Sequence, residues 1–233
     1  MVLKGRLKLI YDMIPACDIL ADIGTDHALL PAYALLHRRC RKAIACDVKT
    51  GPLERAMRTV KKYMLEDRME LRLGSGLEPI SEHESDVIIL AGMGGILITR
   101  LIQESINKAE AANCLILQPM TNQELVRPFL WERGFEIKDE RLTHEGDKLY
   151  QVILAYYTGK PRTKWEKINE IIGEKLIKNE DPLLKDWLKN HIKKQRRIVL
   201  GLKKAEANAD RSQLSCEEKL LSELTDLLHS LGG

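Results

Sequence analysis

The chain has 233 residues, enough for a full α/β core with a smaller unit left over, and its 44% hydrophobic content is that of a globular protein. The formal net charge is only +3, and no run approaches the roughly 20 apolar residues of a membrane span. Five cysteines, Cys17, Cys40, Cys46, Cys114 and Cys216, are odd in number and include no Cys-x-x-Cys pair; this argues against a disulfide framework or a zinc site and fits reduced thiols in the cytoplasm.

In chain order, Leu3, Leu7, Ile10 and Ile14 share one face of an N-terminal helix expected to cover a sheet near its ligand crevice. Its charged residues interrupt the apolar stretch that a signal peptide requires. The run Ile19-Leu20-Ala21-Asp22-Ile23-Gly24-Thr25-Asp26-His27 reads as a buried strand entering a tight acidic turn, followed by a helix over 29–37 with Pro31 in its first turn. A second apolar run, 43–46, ends at Asp47, followed by Val48. An acid at the tip of the second strand of an open α/β sheet is placed to accept ribose hydroxyl hydrogens.

The turn discriminates between cofactors. A nicotinamide site calls for Gly-x-Gly-x-x-Gly, whose second glycine admits a pyrophosphate near a helix N-terminus; here Asp26 occupies that place. A carboxylate repels a pyrophosphate and attracts an ammonium. Asp22, Asp26 and Asp47 therefore favour S-adenosylmethionine, which carries a sulfonium, an ammonium and a ribose but no phosphate. The competing reading of Asp26 is a helix cap.

Further strands are expected over 69–74, 86–90, 114–117, 135–140 and 149–157, with 142–148 forming an antiparallel hairpin loop, so the sheet is mixed. Ser75-Gly76-Leu77 follows the third strand, Ala91-Gly92-Met93-Gly94-Gly95 the fourth, and Gln118-Pro119 the fifth. Ligands of such sheets bind outside the carboxyl ends of the strands. The expected cofactor-binding set is Asp22, Ile23, Gly24, Asp26, His27, Asp47, Val48, Ser75, Gly76, Ala91, Gly92 and Met93. The glycines after the fourth strand either let a base approach the backbone, with their peptide groups bonding its edge, or serve a tight turn. His144, Glu145, Asp147 and Lys148 read as a solvated hairpin tip.

Ala21-Asp22-Ile23-Gly24-Thr25-Asp26-His27-Ala28, Asp47, Gly74-Ser75-Gly76-Leu77 and above all Ala91-Gly92-Met93-Gly94-Gly95 resemble the bacterial methyltransferases that modify N1 of adenine 22 in tRNA. The resemblance covers nearly the whole chain. It implies a Rossmann-like class I methyltransferase domain with a mixed seven-stranded sheet, S-adenosylmethionine as cofactor and tRNA as substrate. Met93-Gly94-Gly95 stands where most amino-methylating enzymes of this fold carry Asn or Asp before Pro-Pro and an aromatic residue, implying another way of holding the base. Asp26, Met93 and Gly94 are the catalytic candidates, Asp26 supplying negative potential to the cationic product. No metal is expected.

A break follows residue 157. Thr158-Gly159-Lys160-Pro161 reads as a linker between a methyltransferase domain over 1–158 and an all-α, coiled-coil-like extension over 159–233. Trp165, Ile168, Ile172 and Leu176 mark one helical face. Asp181-Pro182 is expected to open a long helix, Ser215 to Glu218 has the form of a capping box before a last helix, and the turn between the two is expected near Asp210-Arg211-Ser212. Residues 160–204 carry fourteen Lys or Arg against six acids, and from residue 205 on six acids face two bases. The densest cluster, Lys193, Lys194, Arg196 and Arg197, is the expected RNA contact, against the plain alternative of a solvated face. A homodimer is compatible with the stripes but not required. Two other classes compete with tRNA methylation: a methyltransferase for a protein or small molecule, and a non-enzymatic nucleic-acid binder.

Overall fold

The computed structural model describes residues 1–204 and 211–231. The chain divides into two compact units, Met1–Thr163 and Lys164–Gly233.

In the first unit the order is α1 (Gly5–Met13), β1 (Cys17–Ile23), α2 (Leu29–Leu36), β2 (Cys40–Asp47), α3 (Thr50–Lys62), β3 (Met69–Leu73), β4 (Val87–Met93), α4 (Gly95–Glu104), α5 (Ile106–Ala111), β5 (Cys114–Pro119), α6 (Gln123–Glu132), β6 (Phe135–Glu145) and β7 (Lys148–Tyr157). The strands form one seven-stranded sheet in the order β3-β2-β1-β4-β5-β7-β6. β1 to β5 are parallel, and β7 is antiparallel to both its neighbours. The expected mixed Rossmann-like sheet is present, with its topological switch point where β1 pairs with β2 on one side and β4 on the other.

Central strands covered on both faces must be apolar throughout. Leu20, Ala21 and Ile23 of β1, Val87 to Leu90 of β4 and Leu115 to Leu117 of β5 are all buried. Beside them, Arg127 of α6 is wholly buried, and its Nε donates to Glu140 Oε1 of β6 at 2.7 Å. Gln151 of β7 donates to the same oxygen at 2.8 Å. An isolated charge could not be buried this way, so the three side chains stand or fall together.

Two expected extents change. β4 continues through Met93 with a register shift between Ala91 and Met93. β6 runs to Glu145 and β7 starts at Lys148, so the hairpin loop expected over 142–148 narrows to a turn at Gly146 and Asp147, with Leu142 buried opposite Gln151. The five cysteines are free thiols; Cys40, Cys46 and Cys114 are buried.

The second unit is helical over its described residues: a π-helical turn (Asn169–Gly173), α7 (Glu174–Lys178), α8 (Leu184–Lys204) and α9 (Arg211–Ser230). Trp165 lies before the first helix rather than on its face. Its indole N–H instead donates to Glu170 at 3.2 Å. α8 starts later than Asp181-Pro182 suggests. Asp181 Oδ1 accepts from the Leu183 N–H at 2.8 Å, forming the turn that precedes it. Ser215 to Glu218 lies inside α9, so the capping box is a coincidence of spacing. Of the turn expected near Asp210-Arg211-Ser212, Asp210 is outside the described residues and the other two begin α9. α8 and α9 pack antiparallel: Lys203 pairs with Glu218 at 2.6 Å near one end, and Ile192 and Leu228 line a common groove nearer the other. Trp187, Leu188 and Val199 of α8 and Leu220 and Leu224 of α9 are buried, and the Trp187 indole N–H donates to the Ile172 carbonyl of the π-helical turn at 3.2 Å.

Among the described residues no helix is long and apolar enough to cross a membrane, and no group of three or more His, Cys, Asp or Glu side chains comes together as a metal site.

Candidate active site

At the carboxyl end of β1 the chain turns back on its neighbour: the N–H groups of Gly24 and Thr25 both donate to the Cys46 carbonyl of β2, at 2.8 and 2.9 Å. That turn needs φ +79° at Gly24, and a Cβ there would run into Met93 Cε of β4. Glycine thus lets the tips of β1 and β4 close together. The chain then enters α2 through Ala28 at φ +50°, whose N–H is held by Thr25 Oγ1 at 3.2 Å. Thr25, rather than Asp26, restrains the start of this helix.

Asp26 faces outward. Its Oδ1 accepts from Arg55 Nε of α3 at 2.8 Å and from a second nitrogen of the same guanidinium, and His27 Nε2 lies 3.3 Å from its Oδ2. Arg55, unsuspected from the sequence, balances the exposed carboxylate. Asp22 is the opposite case. It is 7% exposed, and burial pushes its carboxyl up to about 6; the hydrogen bond with Thr25 opposes that and the charge of Asp47 adds to it. A buried acid of this kind gains most from a cation brought beside it.

Around these groups lies a cleft of about 380 Å³ lined by Asp22, Gly24, Asp26, His27, Ala91 and Gly92, with Arg6 of α1 on its wall. A Cβ at Gly92, at φ +75°, would meet nothing within 4 Å, so the backbone borders open space. Gln118, wholly buried in β5, fixes this point: its Oε1 accepts from the Gly92 N–H at 3.1 Å. The Gly95 N–H is likewise committed, to Thr121 O at 2.7 Å, and the Gly94 carbonyl accepts from Ile98 N at 3.0 Å. A Cβ at Gly95 would strike the Asn122 carbonyl. The expectation that these glycine peptides bond a base edge therefore fails for the Gly92 and Gly95 N–H groups; at Gly95 the tight-turn reading holds.

The other expected residues sit at the same edge of the sheet without sharing that cleft. Ile23 is buried at the end of β1. Asp47 ends β2, its Oδ1 accepting from Lys49 N at 2.8 Å, and Val48 beside it is exposed. Ser75 opens on a separate cleft of about 500 Å³ with Leu77 and Lys108. Gly76, at φ +52°, packs where a Cβ would approach Leu101 to 2.7 Å. In the helical unit Lys193, Lys194, Arg196 and Arg197 are all exposed on α8. Lys193, Arg196 and Arg197 rim an apolar-floored groove of about 490 Å³ with Thr225, Leu228 and His229 of α9.

Acids at the tips of two neighbouring strands, one nearly buried with its carboxyl pushed up to about 6, suit a ligand with an ammonium and a diol. The open space at Gly92 leaves room for it. These residues fit the amino-acid and ribose parts of S-adenosylmethionine.

Comparison with known proteins agrees. The tRNA (adenine(22)-N(1))-methyltransferase of Bacillus subtilis is 38% identical over 153 residues, 66% of this chain and 64% of that protein; the match thus spans under two thirds of the relative's length. The solved structure of the B. subtilis m1A22 tRNA methyltransferase superimposes with a TM-score of 0.80 at 29% identity, covering 99% of this chain and 98% of the other. A Streptococcus pneumoniae protein described as a candidate tRNA (m1A22) methyltransferase, solved with S-adenosyl-L-methionine, gives 0.80 at 28% identity over 98% of this chain and 100% of its own. Residues 3–153 match the family described as a methyltransferase domain, and with its switch-point crevice and acidic strand tips the chain belongs to that family.

Proposed function

We propose that this protein is an S-adenosylmethionine-dependent methyltransferase acting on N1 of an adenine in tRNA, adenine 22 by its relatives, in the cytoplasm. The observation that carries the cofactor is the buried Asp22 beside the open Gly92; the substrate rests on the B. subtilis relative. S-adenosylmethionine, when bound, supplies an electrophilic methyl group on a sulfonium.

The chain's residues have a limited task, because N1 of neutral adenine already carries an in-plane lone pair and needs no strong base. They must align donor and acceptor, exclude water and favour a cationic product; alignment alone supplies roughly 7 to 11 kcal/mol. Asp22 and Asp26 attract the ammonium end, and Asp47 accepts from the ribose. Asp26 is oriented by Arg55, which also offsets part of its charge, so it supplies negative potential at the cleft mouth through its second oxygen. Met93 and Gly94 border the approach of the base. In the helical unit, Lys193, Lys194, Arg196 and Arg197 lie along tRNA phosphates and offset the few kcal/mol needed to extrude a base. The methyltransferase domain over 1–158 does the chemistry, and the extension over 159–233 recognises tRNA.

The direct test is methyl transfer from labelled S-adenosylmethionine to unmodified bulk tRNA, with nucleoside analysis of the product. We expect 1-methyladenosine. Cofactor binding with no label in tRNA overturns the substrate assignment. Asp26→Asn is expected to slow transfer; full turnover with unchanged cofactor affinity removes Asp26 from the mechanism.

A further inference from the structure

For a helix pair that does no more than attract phosphates, charge alone suffices. The groove between α8 and α9 offers more than charge. Its floor is Ile192 and Leu228, its rim on α8 is Lys193, Arg196 and Arg197, and His229 of α9 adds an imidazole ring. Ile192 and Arg196 stand four residues apart, as do Lys193 and Arg197, so cations and apolar floor share neighbouring rows of the helix. At about 490 Å³ the groove falls within the roughly 300 to 1,000 Å³ of small-ligand sites.

Other cations of this helix pair are already matched: Lys203 by Glu218 at 2.6 Å, and Lys189, at the edge of the groove, by Asp186 at 3.0 Å. Lys193, Arg196 and Arg197 have no acid partner among the described residues, and no acid lines the groove. Thr225 beside them donates its hydroxyl to the Leu221 carbonyl of its own helix at 2.7 Å. Three unmatched cations around an apolar floor favour an anion that also carries an apolar plane. A duplex backbone presents phosphates without such a plane. A nucleotide splayed out of a folded RNA presents both, and its base stacks on imidazole rings or guanidinium planes.

We propose that this groove receives an unstacked nucleotide of tRNA, its base against Ile192, Leu228 and the His229 ring and its phosphates on Lys193, Arg196 and Arg197. Lys194 lies outside the groove and contributes charge alone. This inference rests on the tRNA reading given above and deepens it: the extension holds a looped-out nucleotide as well as attracting the backbone.

The test compares three polyanions on the full chain: unmodified bulk tRNA, a single-stranded oligoadenylate, and inorganic polyphosphate, which has no bases. The double variant His229→Ala, Leu228→Gln should weaken tRNA and oligoadenylate on the order of 10-fold and leave polyphosphate affinity unchanged. His229→Ala alone, at an exposed position, should show the same selectivity at wild-type melting temperature, which keeps the test open if the double variant folds poorly. Lys194→Gln should weaken all three polyanions by one small factor. Equal changes for RNA and polyphosphate in His229→Ala, or no change in either, overturn the proposal. So does a shift in oligomeric state by light scattering with RNA affinity intact, which gives the groove to a second copy of this chain. If the wild-type protein binds no tRNA, the tRNA reading itself falls.

Discussion

The strand-tip crevice and the α8–α9 pair put polar chemistry to use in opposite ways. In the crevice each group has an assigned place: one glycine beside one methionine, one glutamine on one peptide N–H, one buried acid. On α8 the four basic side chains are exposed and spread over five residues, 193–197, around the buried Gln195. A ligand held by placed atoms is sensitive to tenths of an ångström. A polyanion attracted by charge density responds to the number of charges more than to any single one. The same kind of substitution should therefore have different consequences in the two units.

The largest effect is expected at the β4–α4 turn. Gly95→Ala drives a methyl group into the Asn122 backbone, where overpacking costs about 1 to 3 kcal/mol; thermal unfolding should register this, and methyl transfer should drop to background. Next comes simultaneous replacement of Lys193, Lys194, Arg196 and Arg197 by Gln. This should lower tRNA affinity on the order of 100-fold at moderate salt and flatten its salt dependence, with cofactor affinity unchanged by calorimetry. Any one of the four changed alone should have a small effect. A single substitution there that abolishes activity would mean the helices read a specific contact, and the contrast between the units would be lost.

Asp22→Asn should separate stability from binding. The folded carboxyl is raised to about 6 from 3.8, so its stabilising contribution is complete below about pH 4 and is lost as pH rises through 6. The amide has no charge to lose. At pH 7.5 the variant should be more stable by on the order of 1 to 3 kcal/mol, while binding S-adenosylmethionine about tenfold more weakly for want of a charged partner. Wild-type cofactor affinity should also fall as pH drops below 6. The smallest effect is at Gly201 of α8, where a Cβ would meet nothing within 4 Å. Gly201→Ala should stabilise the helix by up to about 1 kcal/mol and leave methyl transfer unchanged.

What the sequence revealed follows the same division. The tips of β1, β2 and β4 were legible because each buried apolar run stops at an acid or a glycine, a local signal. Gln118 was also visible, as a polar residue ending an apolar strand. Arg6 and Arg55 were not, since they meet Glu145 and Asp26 across 139 and 29 residues of chain. The paired end of β6 was read as loop because Thr143, His144 and Glu145 lie on an edge strand, where only alternate residues such as Leu142 are buried. The Ser215 pattern misled because a serine three residues before a glutamate also arises inside a helix, and only the chain before it distinguishes the cases.

The position of β7 has a consequence for how the protein is made. The last strand of the first unit is inserted between β5 and β6, so β6 emerges during synthesis with no partner, and β5 with one open edge, until Tyr157 is available. The sheet closes only then. The 70 residues that follow Thr163 occupy about 4 to 14 s of translation at typical rates of roughly 5 to 20 residues per second, an interval in which the sheet can close while the chain is still tethered to the ribosome. Nascent chains arrested with residues 1–145 outside the ribosome should be cut readily by protease, and those with 1–163 outside should resist; equal resistance would show that β6 finds shelter before its partner arrives.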